Sequence, residues 1–182
     1  MIFNRSRERG QVAVQAVLLI LLFFLLAITL VDGYAMFEAR NWGYQVAQQA
    51  ALAGVSQGRD WNSLTNPPCI GGPAPIKLDW AAAQSGATDI LERELIMRGI
   101  SSAAYDVRVL PDYEGGTISG FPPSTVRLGE GRGSWSMSQP SVSVYLSLPV
   151  STFLMSFVGR PTVQINVFAS ASVHQPEGAC TP

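Results

Sequence analysis

The sequence predicts an α+β protein: a long N-terminal helix that crosses a membrane, a second helix, and a small antiparallel sheet. Three observations predict this. An apolar run of helical length, Val12 to Val31, lies near the start of the chain. Trp80 to Arg98 carries apolar residues at three- and four-residue spacing. Stretches around 105–109, 142–148 and 163–173 alternate apolar and polar residues with period two. Helices followed by strands give an α+β plan with helices on one face of the sheet.

The apolar run is VAVQAVLLILLFFLLAITLV, interrupted by Gln15 and Thr29 alone. At about 1.5 Å per residue it matches the roughly 30 Å hydrocarbon core of a bilayer. Arg5, Arg7 and Arg9 precede it against one acid, Glu8. The positive-inside rule keeps that flank in the cytoplasm and sends everything after Val31 outside. Three segments follow: a basic cytoplasmic leader at 1–10, a transmembrane helix at 11–31, and an exported domain at 32–182. The location is the cytoplasmic (inner) membrane, single-pass, and the lipid bilayer is the first partner. A cleavable secretory signal has an apolar core of about 7–15 residues, shorter than this one. Gly33-Tyr34-Ala35 is a poor cleavage site for it, so the helix is read as retained.

No proline stops the helix before Gly54, and Gly54 to Gly58 marks its end. Ala35, Ala39, Trp42, Val46, Ala50 and Ala53 recur at helical spacing and form a packing stripe of mostly small residues. Small residues let a helix lie close on a sheet or on another helix. A core-facing stripe is the preferred reading, and a dimer face is the alternative. Residues 56–78 read as a Pro/Gly/Asn-rich loop. Asp79 caps the second helix, 80–98, with Trp80, Ala83, Ala87, Ile90, Leu91 and Leu95 as its buried face. Tyr105, Val107 and Val109 form the buried side of the first strand. Thr125 to Leu128 and Ser134 to Ser138 read as a hairpin around the glycines at 129–133. Val142, Val144, Leu146 and Leu148 give the clearest strand. An apolar connection at 150–159 suits a short helix, and a last strand ends at Val173.

Composition excludes several functions. The net charge is −1, and no run of Lys or Arg follows the first ten residues, which argues against nucleic-acid binding. Charged residues make up 14% of the chain, which suits a weakly charged surface that packs on neighbours. Cys69 and Cys180 both fall on the exported side, and an even count in an oxidising compartment favours one disulfide. Two unrelated free thiols are the alternative. No catalytic residues, metal ligands or cofactor site emerge. The single histidine, His174, lacks a second His or clustered acids. Gly129, Gly131 and Gly133 lack the lysine and the strand–helix setting of a phosphate loop. Glu92 and Glu94, two residues apart on a helix, do not face each other. Trp61 and Trp80 are expected on the core, and Trp42 near the membrane or in a protein contact.

Gly10 stands between the basic flank and the apolar run, in the order Arg9-Gly10-Gln11-Val12. This resembles the leader junction of type IV pilin-like proteins, where a prepilin peptidase cuts after a glycine on the cytoplasmic side. The stretch RERGQVAVQAVLLILLFFLLAITLVDGYAMFEARNWGYQVAQQAALAG resembles the start of the TadE/TadG-like proteins, minor pilins or pseudopilins of the Tad (tight adherence, Flp pilus) secretion system. The matching pieces are Gly10 with Gln11, the apolar run, Asp32-Gly33, and Ala47, Ala50, Ala51, Ala53 and Gly54. Pro149, Gly159-Arg160-Pro161 and Val163 to Val173 resemble the family's C-terminal end. The resemblance implies a long transmembrane helix continuing into a pilin-like domain. It implies a non-enzymatic minor pilin or assembly component, with other pilin-like subunits, Tad platform components and a prepilin peptidase as partners. An extracellular pilus is then a second location. Pilin-like helices usually carry Glu five residues after the cleavage glycine, and here that position is Gln15. The alternative function is a membrane-tethered extracellular binding domain unrelated to pili. A tethered hydrolase would need His174 and a nucleophile in one cleft.

Overall fold

The computed structural model describes residues 5–62, 74–123, 133–157 and 159–179, with side chains from residue 12 onward. It is α+β, with a long apolar N-terminal helix, a second helix and a small antiparallel sheet. The element order is α1 (Arg5–Gln57), α2 (Trp80–Met97), β1 (Ala104–Leu110), β2 (Gly116–Ser119), β3 (Ser134–Met137), β4 (Ser141–Ser151), α3 (Phe153–Ser156) and β5 (Thr162–Ser172). Two compact units result: Met1–Glu38 with Val150–Val163, and Ala39–Pro149 with Gln164–Pro182.

The second unit holds the core. Its three-stranded sheet has the order β1-β4-β5. β1 and β4 are antiparallel, with Val107 opposite Val144 and Val109 opposite Val142. One face of the sheet carries Val107, Val109, Val142, Val144, Leu146, Leu148, Val167 and Ala169 against Val46, Ala47, Ala50, Ala51 and Val55 of α1. Ala83, Ala87, Leu91 and Leu95 of α2 complete that layer. Tyr145, Leu110, Phe121 and Trp135 form a second, smaller cluster, joined by Ile118, Met137 and Phe168. β4 is therefore buried on both sides: Ser141 and Ser143 are as inaccessible as Val142 and Val144. Ser141 meets this burial by donating to the Gln139 carbonyl at 2.6 Å.

α1 ends at Gln57, inside the Gly54–Gly58 stretch expected to end it, and Gly54 is itself a contact residue. A Cβ on Gly54 would lie 2.8 Å from the Ala83 carbonyl, 3.0 Å from Val142 and 3.1 Å from Ala87. Gly58, whose N–H still bonds the Gly54 carbonyl at 2.8 Å, comes as near to Ala83. Trp80 is exposed (56%) and not core. A helical side chain covers the turn before its own Cα, and Trp80 begins α2, so no turn lies under it. Trp61 is exposed as well. Tyr105 sits at the exposed start of β1 and uses its hydroxyl on Glu92 at 2.8 Å.

The strand expected at Ser134–Ser138 is present as β3. β3 pairs with β2, Gly116 opposite Met137 and Ile118 opposite Trp135, while Thr125–Leu128 lies outside the described residues. This pairing puts Ile118 and Trp135 on the second cluster, with Phe121 edge-on to Trp135 at 6.2 Å and to Phe168 at 5.7 Å. Gly115 (φ +71) makes the turn into β2, in the left-handed region that favours glycine. Asp79 caps α2 by accepting from Ala82 N at 3.0 Å, a contact of about 1 kcal/mol. Gly99 (φ +68) follows the helix end.

Candidate functional site

Within the first unit, α1 presents a nearly continuous apolar surface. Val12, Val14 and Val17 through Leu26 are each more than half exposed. Among the described residues this is one helix long and apolar enough to cross a membrane. Its polar interruptions are managed differently. Thr29 returns its hydroxyl to the Leu25 carbonyl at 2.8 Å, so it carries no unpaired donor into an apolar medium. Gln15 is exposed on the helix surface. Gly10 and Gln11 lie in the helical backbone of α1, and the Gln11 side chain falls outside the described residues.

One residue after the apolar run, the pattern changes. Asp32 is buried (7% exposed) in a helix whose neighbours Val31 and Gly33 are exposed. Its two carboxylate oxygens accept from Phe153 N at 2.9 Å and Leu154 N at 2.7 Å. Those are the first two amides of α3. Thr152, at the N-cap of α3, makes no side-chain capping bond. The cap is thus supplied by a carboxylate about 120 residues earlier in the chain. A negative charge at a helix N-terminus is favoured by the helix dipole, and hydrogen bonds to an ionised acceptor are the stronger kind. Asp32 therefore clamps the β4–β5 turn onto α1.

The turn itself is closed by its own backbone. Thr152 N donates to the Pro161 carbonyl at 3.0 Å, and Arg160 N to the Met155 carbonyl at 3.0 Å. Gly159 (φ +76) allows the reversal. Its outer residues are apolar: Phe153 is 57% and Phe157 76% exposed, edge-to-face with ring centroids 5.2 Å apart. Sequence reasoning quoted Asp32 only as part of a matching dipeptide and missed its partner. The available signal was a single carboxylate directly after a twenty-residue run with two uncharged polar interruptions, where a charge needs a reason.

The predicted packing stripe falls in both units. Val46 and Ala50 are buried, and Ala35, Ala39, Trp42 and Ala53 are half-buried. The fully buried face in the second unit is Gly43, Val46, Ala47, Ala50, Ala51, Gly54 and Val55. A Cβ on Gly43 would lie 2.6 Å from Leu148 Cδ1. Trp42 has the Arg98 guanidinium over its ring at 4.5 Å.

The remaining candidates do not converge. Cys69 and Cys180 lie outside the described residues, so the expected disulfide does too. His174 is exposed, with Nδ1 3.4 Å from Gln139 Nε2. No group of three or more His, Cys, Asp or Glu able to hold a metal occurs among the described residues. A shallow open groove on α2 includes Trp80, Thr88, Asp89 and Glu92. Asp89 is engaged by Arg93 at 2.6 Å and Glu92 by Tyr105, so neither carboxylate is spare. The Glu92 contact, then burial, then the charge of Glu92 hold the Tyr105 phenol above its ordinary value of 10.0. No protein-family model matches the chain, and comparison with curated proteins and with solved structures finds no match.

Proposed function

We propose that the protein is a non-enzymatic, membrane-anchored minor pilin or assembly component of a Tad-type pilus or secretion system. Its N-terminus lies in the cytoplasm and its domain outside. The observation that carries this reading is the division of labour along α1. Its first half exposes a membrane-length apolar surface, and its later part buries a Gly/Ala face on a sheet and a second helix. The Gly10-Gln11 junction and the three leader arginines support it from the sequence. In this reading the apolar half assembles beside other pilin-like helices, with Gln15 available for a hydrogen bond between them at lower desolvation cost than Glu.

Intact-mass measurement of the membrane-extracted chain tests it. Co-expressed with a prepilin peptidase, the mature chain should begin at Gln11, and Gly10→Leu should abolish the cut while leaving insertion intact. A chain that keeps Arg5 to Gly10 beside an active peptidase overturns the pilin reading and leaves a tethered binding domain. A C-terminal reporter active only in the cytoplasm overturns the orientation.

A further inference from the structure

The β4–β5 turn carries its apolar side chains at a height that the Asp32 clamp determines. Asp32 follows Val31, the last residue of the apolar run, and bonds directly to Phe153 and Leu154. The turn is therefore held at the end of the membrane-length segment. Ala27 and Ile28 are half-buried inside a run whose other residues are exposed, and they lie one turn, about 6 Å, before Asp32. Residues 150–163 belong to the same unit as these positions.

The chemistry of the turn suits lipid. From Val150 to Val163 it has no acidic residue and one charge, Arg160, which is exposed. Phe153 and Phe157 project into solvent as a paired aromatic edge. Leu154 and Met155 are half-buried beside them. The backbone closes on itself through Thr152–Pro161 and Arg160–Met155, and Asp32 takes two of the amides that a helix start leaves open. A segment entering a medium poorer in water needs this internal satisfaction. The polar zone of one leaflet is about 5–7 Å thick beyond the hydrocarbon edge, within reach of a Phe side chain at the level of residue 32.

We propose that the Phe153–Phe157 turn is a second membrane contact. It seats its aromatic edge in the lipid interface of the leaflet next to residue 32, with Arg160 placed for a lipid phosphate. The proposal rests on Val12–Val31 spanning a bilayer and not on the pilus reading. α1 and the turn then form a two-point anchor joined by one carboxylate.

The test uses the full chain in phosphatidylcholine vesicles, with a photoreactive benzoylphenylalanine at Phe157 or, separately, at Leu21. After illumination, intact mass reports covalent phospholipid. The Phe157 probe should give adduct within about threefold of the Leu21 probe, as expected for an interfacial aromatic. Adding Asp32→Asn, which offers one acceptor oxygen in place of two, should lower the Phe157 yield about fivefold or more and leave Leu21 unchanged. Lipid adduct at Leu21 with none at Phe157 overturns the proposal and leaves the span standing. No adduct at either position removes the span and the proposal together. Chain-to-chain cross-links at Phe157 in place of lipid assign the aromatic edge to a second copy and overturn it. An unchanged Phe157 yield in Asp32→Asn overturns the role of the clamp.

Discussion

Asp32 ties the two segments of the first unit together, because it accepts from two backbone amides about 120 residues away. Asp32→Ala removes both bonds and leaves the amides of Phe153 and Leu154 at an uncapped helix start. Hydrogen bonds to a charged group contribute about 1.5–3 kcal/mol, so exchange of these two amides should accelerate roughly 10- to 100-fold. Hydrogen–deuterium exchange resolved by fragmentation checks this, and unchanged protection would mean that the turn holds itself. Tyr105 makes a different kind of contact at an exposed edge. Its raised folded value means that the native state holds the phenol proton more tightly than the unfolded chain. The contribution is present in full below about pH 10 and is lost as pH rises through the folded value. Tyr105→Phe should remove a component that titrates above the ordinary phenol value from an ultraviolet phenolate titration and weaken the alkaline dependence of stability. Loss of a component that titrates at the ordinary value of 10.0 would contradict the Glu92 contact.

Among the elements, the α1–α2–sheet seam sets its own tolerance. Gly54→Ala gains about 1 kcal/mol of helix propensity, but the new methyl meets a backbone carbonyl at 2.8 Å, which cannot move as a side chain would. Overpacking of this kind costs about 1–3 kcal/mol, so the net change in denaturant unfolding should be destabilising. A stabilised variant would show that the helices can part. The segment 74–78 and the tail make another joint. Gln175 accepts from Ile76 N at 2.9 Å and donates to the Ile76 carbonyl at 2.8 Å, copying a backbone pair. Ile76 and Gln175 are near in sequence to Cys69 and Cys180, respectively. Peptide mapping without reductant should recover the two cysteines as one linked pair, and free thiols at both positions would refute the bridge.

At the scale of the whole molecule, legibility followed period. The apolar run, α2 and the 142–148 strand each repeat a local pattern, and such patterns mark which side of an element meets the core. The pairing of β2 with β3 was hidden because Gly116–Ser119 has one apolar side chain, Ile118, and so no alternation to read. The burial of Ser141 and Ser143 was hidden for a related reason. A polar residue on the second face of a strand reads as solvent-facing until something is known to cover it. The clamp was hidden because residues far apart in sequence make it, and spacing says nothing about such pairs. The Gly/Ala face of α1 was half legible: its alanines announced a close approach, while its tightest contacts are at Gly43 and Gly54.

That seam has a consequence in time. Gly54 meets both Ala83 and Val142, which follow it by about 30 and 90 residues. At roughly 5–20 residues per second of synthesis, α2 is available within seconds, whereas β4 arrives about 5–20 s after Gly54. The buried face of α1 must therefore wait for its sheet, and α2 is the first surface that can shelter it. The order of assembly expected is a helical pair first, then β4 closing over it, since contacts between near neighbours form before distant ones. Chains stalled after residue 103 should already protect the amides of α2 from exchange. Chains that protect them only once β4 has been made would reverse that order.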